Sequence, residues 1–146
     1  MTIDRAVEKF DNLLKDVNKI MPLTVLKDGT VCYYNYVVRK NKVGLWECSQ
    51  VGKKLKNNVG TFYLRSSAIL AANHHRHSRV GDLELTKNMD QRYWSNYIDS
   101  LNFNTLYKKT NDEVKRDVFL WRWEQCRDRA DHYRDEITYR FSHLFR

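Results

Sequence analysis

From Phe119 to Leu144, apolar side chains recur at steps of four and three: Phe119, Trp123, Cys126, Ala130, Tyr133, Ile137, Phe141 and Leu144. A stripe with that spacing is one face of an α-helix. The intervening charges alternate, as in Arg127-Asp128-Arg129 and Arg134-Asp135-Glu136, which suits a solvated opposite face. Thr110 or Asn111 serves as the cap, with Glu113 near the first turn. A helix from Asn111 to Phe145 is about 50 Å long at ~1.5 Å per residue. That exceeds what a compact domain of 146 residues needs, so part of the helix projects or a partner covers one end.

The upstream segments are read from where the periodicity changes. Ile3, Val7, Phe10, Leu14, Val17 and Met21 predict an amphipathic helix over 3–21, capped by Thr2 and ended by Pro22, the only proline. Residues 23–64 predict a β-meander. Its strands are Thr24–Leu26, a hairpin turn at Asp28-Gly29, a long central strand Thr30–Arg39, Leu45–Val51 and Val59–Leu64. The two alternating residue sets of the central strand are both largely apolar. A helix capped at Ser66 should run to about His77 and break at Val80-Gly81, and a further helical region covers about 83–109, kinked or divided near Asn102–Thr105. The fold class is therefore α+β: an N-terminal helix, a three- or four-stranded antiparallel meander, and two to three C-terminal helices with a long last helix, all in one domain over 1–146.

Composition adds charge placement. The net charge is +8, and residues 27–81 hold all of it. Ten cations there (Lys27, Arg39, Lys40, Lys42, Lys53, Lys54, Lys56, Arg65, Arg76, Arg79) face only Asp28 and Glu47, while both flanks are balanced. A field of one sign attracts polyanions or an acidic partner surface. Arg39, Lys40, Lys42, Lys53, Lys54, Lys56, Arg65, Arg76 and Arg79 are the candidate binding residues. Tyr33, Tyr34, Tyr36, Phe62 and Tyr63 lie among them on predicted strands, an arrangement that holds single strands in some proteins. Strand aromatics are more often core, and no RNP, KH or zinc-finger pattern is present.

Catalytic and metal signatures are weak. His74 and His77 have a ligand-like i,i+3 spacing, but no cysteine or carboxylate is near and Arg76 and Arg79 would repel a cation. Ser66-Ser67 lack the glycines of a nucleophile turn and read as a helix start. Gly52-Lys53-Lys54 has no upstream glycine at phosphate-loop spacing. Asp112–Glu113 and Asp135–Glu136 sit on charge-alternating helix faces with no sign of burial. Trp121 falls off the core stripe of the last helix, where it either packs under the N-terminal helix or anchors a partner; core packing is the favoured reading. Cys32, Cys48 and Cys126 are an odd number without C-x-x-C spacing, so free thiols in a reducing compartment are expected. No cofactor, no metal and no enzyme activity is expected. Met1-Thr2-Ile3-Asp4 lacks the start of a signal peptide and no 18-residue apolar run exists, so no membrane partner and a cytoplasmic location are expected.

Three stretches carry a resemblance. They are Lys19–Thr30 (KIMPLTVLKDGT), Gly60–Ala72 (GTFYLRSSAILAA), and Lys115–Glu124 (KRDVFLWRWE) with Arg127–Ala130 behind it. Together they resemble small uncharacterised proteins of T4-like tailed phages, especially marine and cyanobacterial ones. The resemblance implies a viral accessory or virion component, in the host cytoplasm or the particle, and carries over no functional residue. With the charge pattern it leads to the expectation of a non-enzymatic interaction or assembly protein. A protein partner or homo-oligomer is expected, with sequence-nonspecific nucleic-acid binding as the alternative.

Overall fold

A computed structural model describes residues 23–52 and 56–145; the helix expected over 3–21 lies outside them. The described chain is α+β. An antiparallel meander, β1 (Leu23–Val25), β2 (Val31–Tyr33), β3 (Tyr36–Lys40), β4 (Trp46–Val51) and β5 (Lys56–Phe62), forms one sheet in the order β1-β2-β3-β4-β5. Three helices follow: α1 (Arg65–Arg76), α2 (Val80–Lys109) and α3 (Glu113–Ser142), with a closing 3-10 turn at His143–Phe145.

The sheet has five strands, not three or four, because the run Thr30–Arg39 is two strands. Tyr33 pairs with Tyr36 across the two-residue loop Tyr34-Asn35, and Tyr34 takes φ 51°. The turn switches the parity of the buried positions, from Val31 and Tyr33 to Tyr36 and Val38. That switch is why both alternating sets look apolar when the run is read as one strand. A tyrosine at positive φ is strained by about 1–2 kcal/mol. Two contacts of its ring offset this, an edge-on packing with Tyr33 at 4.8 Å and the Arg76 guanidinium at 3.6 Å.

Helix α1 is the middle layer. It touches β3, β4 and β5 on one side and α2 and α3 on the other. Every residue from Ser66 to Asn73 is buried, as a helix covered all round requires. Ser66, Ser67, Ala68, Ala71 and Ala72 are small enough for close approach on both sides. Two hydrogen bonds then lock its C-terminal half to the sheet: Asn73 Nδ2 donates to Tyr33 Oη at 2.8 Å, and Tyr36 Oη lies 2.7 Å from His75 Nδ1.

The helix ends differ from the sequence reading. Ser66 does not cap α1; it is buried inside the first turn. The cap comes from α2, where Asp90 accepts from the backbone N–H of Tyr63 (Oδ2, 2.8 Å) and of Leu64 (Oδ1, 3.0 Å). Nor does Gly81 break the chain. Beyond its last residue, Arg76, α1 is closed at Ser78, which takes φ 55°, with Ser78 N–H donating to His75 O (3.1 Å) and Arg79 N–H to His74 O (2.8 Å). These are the two bonds of a Schellman closure, with serine where glycine is usual. Gly81 lies inside α2 and crowds nothing. α2 runs undivided through Asn102–Thr105, and α3 is capped by Asp112 rather than Thr110 or Asn111. Its carboxylate accepts from Val114 N–H at 3.0 Å and Lys115 N–H at 3.2 Å.

The two long helices have 30 residues each and form an antiparallel hairpin. Its base packs on α1 through Met89 and Tyr93 of α2 and Ala130, Ile137 and Phe141 of α3. Beyond Ser100 on α2 and before Ala130 on α3 no residue is buried. There the helices touch mainly each other, as in Phe103–Phe119 at 6.4 Å and Tyr107–Trp123 at 6.3 Å. The tip thus stands roughly 15 Å clear of the body at ~1.5 Å per residue. The long last helix is shown, and α2 accompanies it along its length.

At the base, Tyr93 is fully buried and its hydroxyl has no hydrogen-bond partner among the described residues. Burial pushes the phenol up to about 12. Tyr93→Phe removes the unsatisfied oxygen and keeps the ring contacts. It should raise stability by about 1 kcal/mol in denaturant melts; a loss of that size would show an uncounted partner.

Candidate interaction surface

Strand alternation sorts the cations of the sheet. On β3, Tyr36 and Val38 face the core, while Val37 and Arg39 face the open side opposite Ser49 and Glu47. The β3–β4 loop is built on Asn41, whose Oδ1 accepts from Val43 N–H (3.1 Å) and Leu45 N–H (2.9 Å), with Gly44 at φ +89° closing the turn. This brings Arg39, Lys40 and Lys42 together, all exposed. With Val37 and Val51 they line a shallow hollow on the open face, where Glu47 is the one acidic group. Beneath the same end, Trp46 carries Lys40 Nζ 5.8 Å and the Arg65 guanidinium 5.0 Å from its ring, and Arg65 Nη1 donates to Gly29 O at 3.1 Å.

Three other candidates lie elsewhere. Arg76 and Arg79 are at the C-terminal end of α1, at the opposite end of β3, where Arg76 covers Tyr34. Lys56 begins β5, paired with Val51, while Lys53 and Lys54 lie outside the described residues. Among the described residues the basic segment therefore forms two groups about one strand length apart. Tyr33, Tyr36 and Phe62 are buried core, and Tyr63 stacks on Trp94 at 4.8 Å. Only Tyr34 of the five aromatics is exposed.

Several of the remaining candidates make structural contacts. His75 bonds Tyr36, and half-burial of His74 lowers its pKa. Among the described residues no three His, Cys, Asp or Glu side chains gather as a metal site. Asp112 caps α3. Asp135 pairs with Arg134 at 2.7 Å and Glu136 with Arg140 at 3.0 Å. The cysteines are free, and burial pushes the Cys48 thiol up to about 12, which makes it unreactive. Among the described residues no helix is long and apolar enough to cross a membrane.

A second surface lies on the hairpin tip. Trp121 is 53% exposed, Val118 50% and Val114 74%, so the core packing expected for Trp121 is not what the structure shows. Phe119 and Trp123 turn toward α2, and at 100° per residue Trp121 falls on the far side of α3. Val114, Val118, Trp121, Asp117 and Arg122 line one shallow groove there. The groove has a charged bank on each side. Lys115, Arg122 and Arg129 follow one flank at seven-residue spacing; Asp117, Glu124 and Asp131 follow the other. The first five of these six are strongly or partly solvated with no ion-pair partner among the described residues, whereas Asp131 lies 3.7 Å from Arg134. Alternation along the chain hides this segregation; counting in sevens exposes it. Comparisons with protein-family models, curated proteins and solved structures find no match to this chain.

Proposed function

We propose that this chain is a non-enzymatic interaction or assembly protein, of the kind a phage accessory or virion component would be. The observation that carries the reading is the groove on the hairpin tip. Three large apolar side chains face water on an arm held clear of the body, and exposed Trp is a frequent interface anchor. The clustered Arg39, Lys40 and Lys42 offer a second contact, for an acidic surface. The test is retrieval of binding partners, including further copies of the chain, by wild type and by Trp121→Glu. Complexes formed by the wild type and lost in the variant support the reading. Wild type that associates with nothing overturns it.

The clustering of Arg39, Lys40 and Lys42 favours one second reading, phosphate-backbone binding together with Lys53, Lys54 and Lys56. Binding of a labelled oligonucleotide, followed by anisotropy, should then weaken by about tenfold or more between 50 and 200 mM salt, and further in an Arg39→Ala/Lys40→Ala/Lys42→Ala variant. A flat salt response, or no binding at low salt, removes this reading.

A further inference from the structure

The geometry points to a second copy of this chain as the occupant of the tip groove, with the two α3 helices side by side and parallel. This rests on the interaction reading above and names its partner. Numbered as heptads, the outward face of α3 has Val114 and Trp121 at d and Val118 and Gln125 at a. Position g is Asp117, Glu124 and Asp131, and position e is Lys115, Arg122 and Arg129. In a parallel pair each g residue meets the e residue five positions on in the partner helix. That sets Asp117 against Arg122 of the other copy and Glu124 against Arg129, with each contact made twice by symmetry, whereas the third g residue, Asp131, meets the acidic Glu136 nearer the base, where the pair separates. An antiparallel pair would instead bring e against e and g against g, cation to cation and acid to acid. The charge pattern therefore selects the parallel arrangement.

The seam is also confined to where two bodies can accommodate it. Toward the base the same heptad positions become Asp128, His132 and Asp135, all exposed. Parallel pairing puts both bodies at the same end, and a polar seam there lets the helices splay. Apolar contact is left to about two heptads at the tip, which matches association in the micromolar range rather than an obligate dimer. The far side of α3, facing α2, is already filled by Phe119, Trp123 and Ala130, so α2 does not obstruct the approach.

Sedimentation equilibrium between 1 and 200 µM tests this on the full chain. Wild type should form a dimer, and Trp121→Glu should stay monomeric with an unchanged helical circular-dichroism signal. Arg122→Glu should weaken the dimer about tenfold or more, since it turns two attractive contacts into two repulsive ones; Asp117→Arg/Arg122→Asp should restore it. A wild-type monomer throughout, a dimer that survives Trp121→Glu, or a dimer strengthened by Arg122→Glu overturns the proposal. A monomer that still retrieves a different protein through Trp121 leaves the interaction reading standing without its self-pairing. A monomer that retrieves nothing ends both.

Discussion

At about pH 4.5, Asp90→Ala should cost about 3 kcal/mol of folding stability, lowering the thermal midpoint by roughly 10 °C. The side chain of Asp90 crosses from α2 to close the N-terminus of α1, holding the Tyr63 and Leu64 N–H groups at 2.8 and 3.0 Å. Leu64, at the cap position, has no acceptor to replace it, and the first turn of α1 holds no acidic residue. Alanine leaves the two donors without a partner in a layer closed on both sides. The cost is pH-dependent, and its sign follows from the raised carboxyl. Burial pushes Asp90 up to about 6 from 3.8, against the pull of the two N–H groups. Between those values the folded state keeps a proton that the unfolded state has lost, so this group's stabilisation is whole below pH 4 and falls as pH rises through 6. The deficit of Asp90→Ala should accordingly shrink by about 2–3 kcal/mol from pH 4 to pH 7. Asp90→Asn, which keeps an acceptor but cannot titrate, should remove the slope while retaining part of the cap. Denaturant melts of the three proteins across that range check this, and parallel pH profiles would disprove it.

Phe141→Ala should be as damaging or worse, about 4 kcal/mol, while Trp121→Ala twenty residues away on the same helix should change stability by less than about 0.5 kcal/mol. Phe141 is fully buried and belongs to the core cluster at the base of the hairpin, where α3 packs on α1. Its removal leaves a cavity in that core, and close-packed surroundings relax only partly to fill one. Trp121 is larger, but its ring is more than half exposed, and among the described residues its one ring contact is the neighbouring Arg122 at 5.6 Å. The comparison separates the anchoring end of the hairpin from its free end. Thermal melts at 1 µM, below the range where self-pairing would contribute, are the measurement. Equal losses at both positions would mean that the tip is packed against something in the folded monomer.

The two positions also show what could be read from the chain. Phe141 belongs to the four-and-three stripe, and the stripe names the helix and its inner face without help. Ala130 and Ile137 of the same stripe are buried as well, and Phe119, Trp123, Cys126, Tyr133 and Leu144 half-buried. The strands β1 and β4 were legible for the same reason, because side-chain alternation is local. The turn at Tyr34-Asn35 was not. No glycine marks it, and the strain at Tyr34 is offset by Arg76, which is distant in sequence. Ser78 is a similar case: it takes the left-handed backbone that closes α1, although Gly81 nearby is the residue that adopts such a conformation without strain. The basic segment was found as a count, but a count has no direction. Only the strand order placed Arg39, Lys40 and Lys42 at one end of β3 and Arg76 and Arg79 at the other.

Periodicity and charge content are properties of neighbours along the chain, and they alone determined the α+β class, the long last helix and the basic centre of this protein. The tertiary structure decided the rest: five strands instead of three or four, a helix capped by a residue 26 positions away, and a tryptophan turned outward. Each of these depends on groups far apart in sequence meeting in space. Burial and hydrogen-bond partners are shared between segments, so no single segment can specify them.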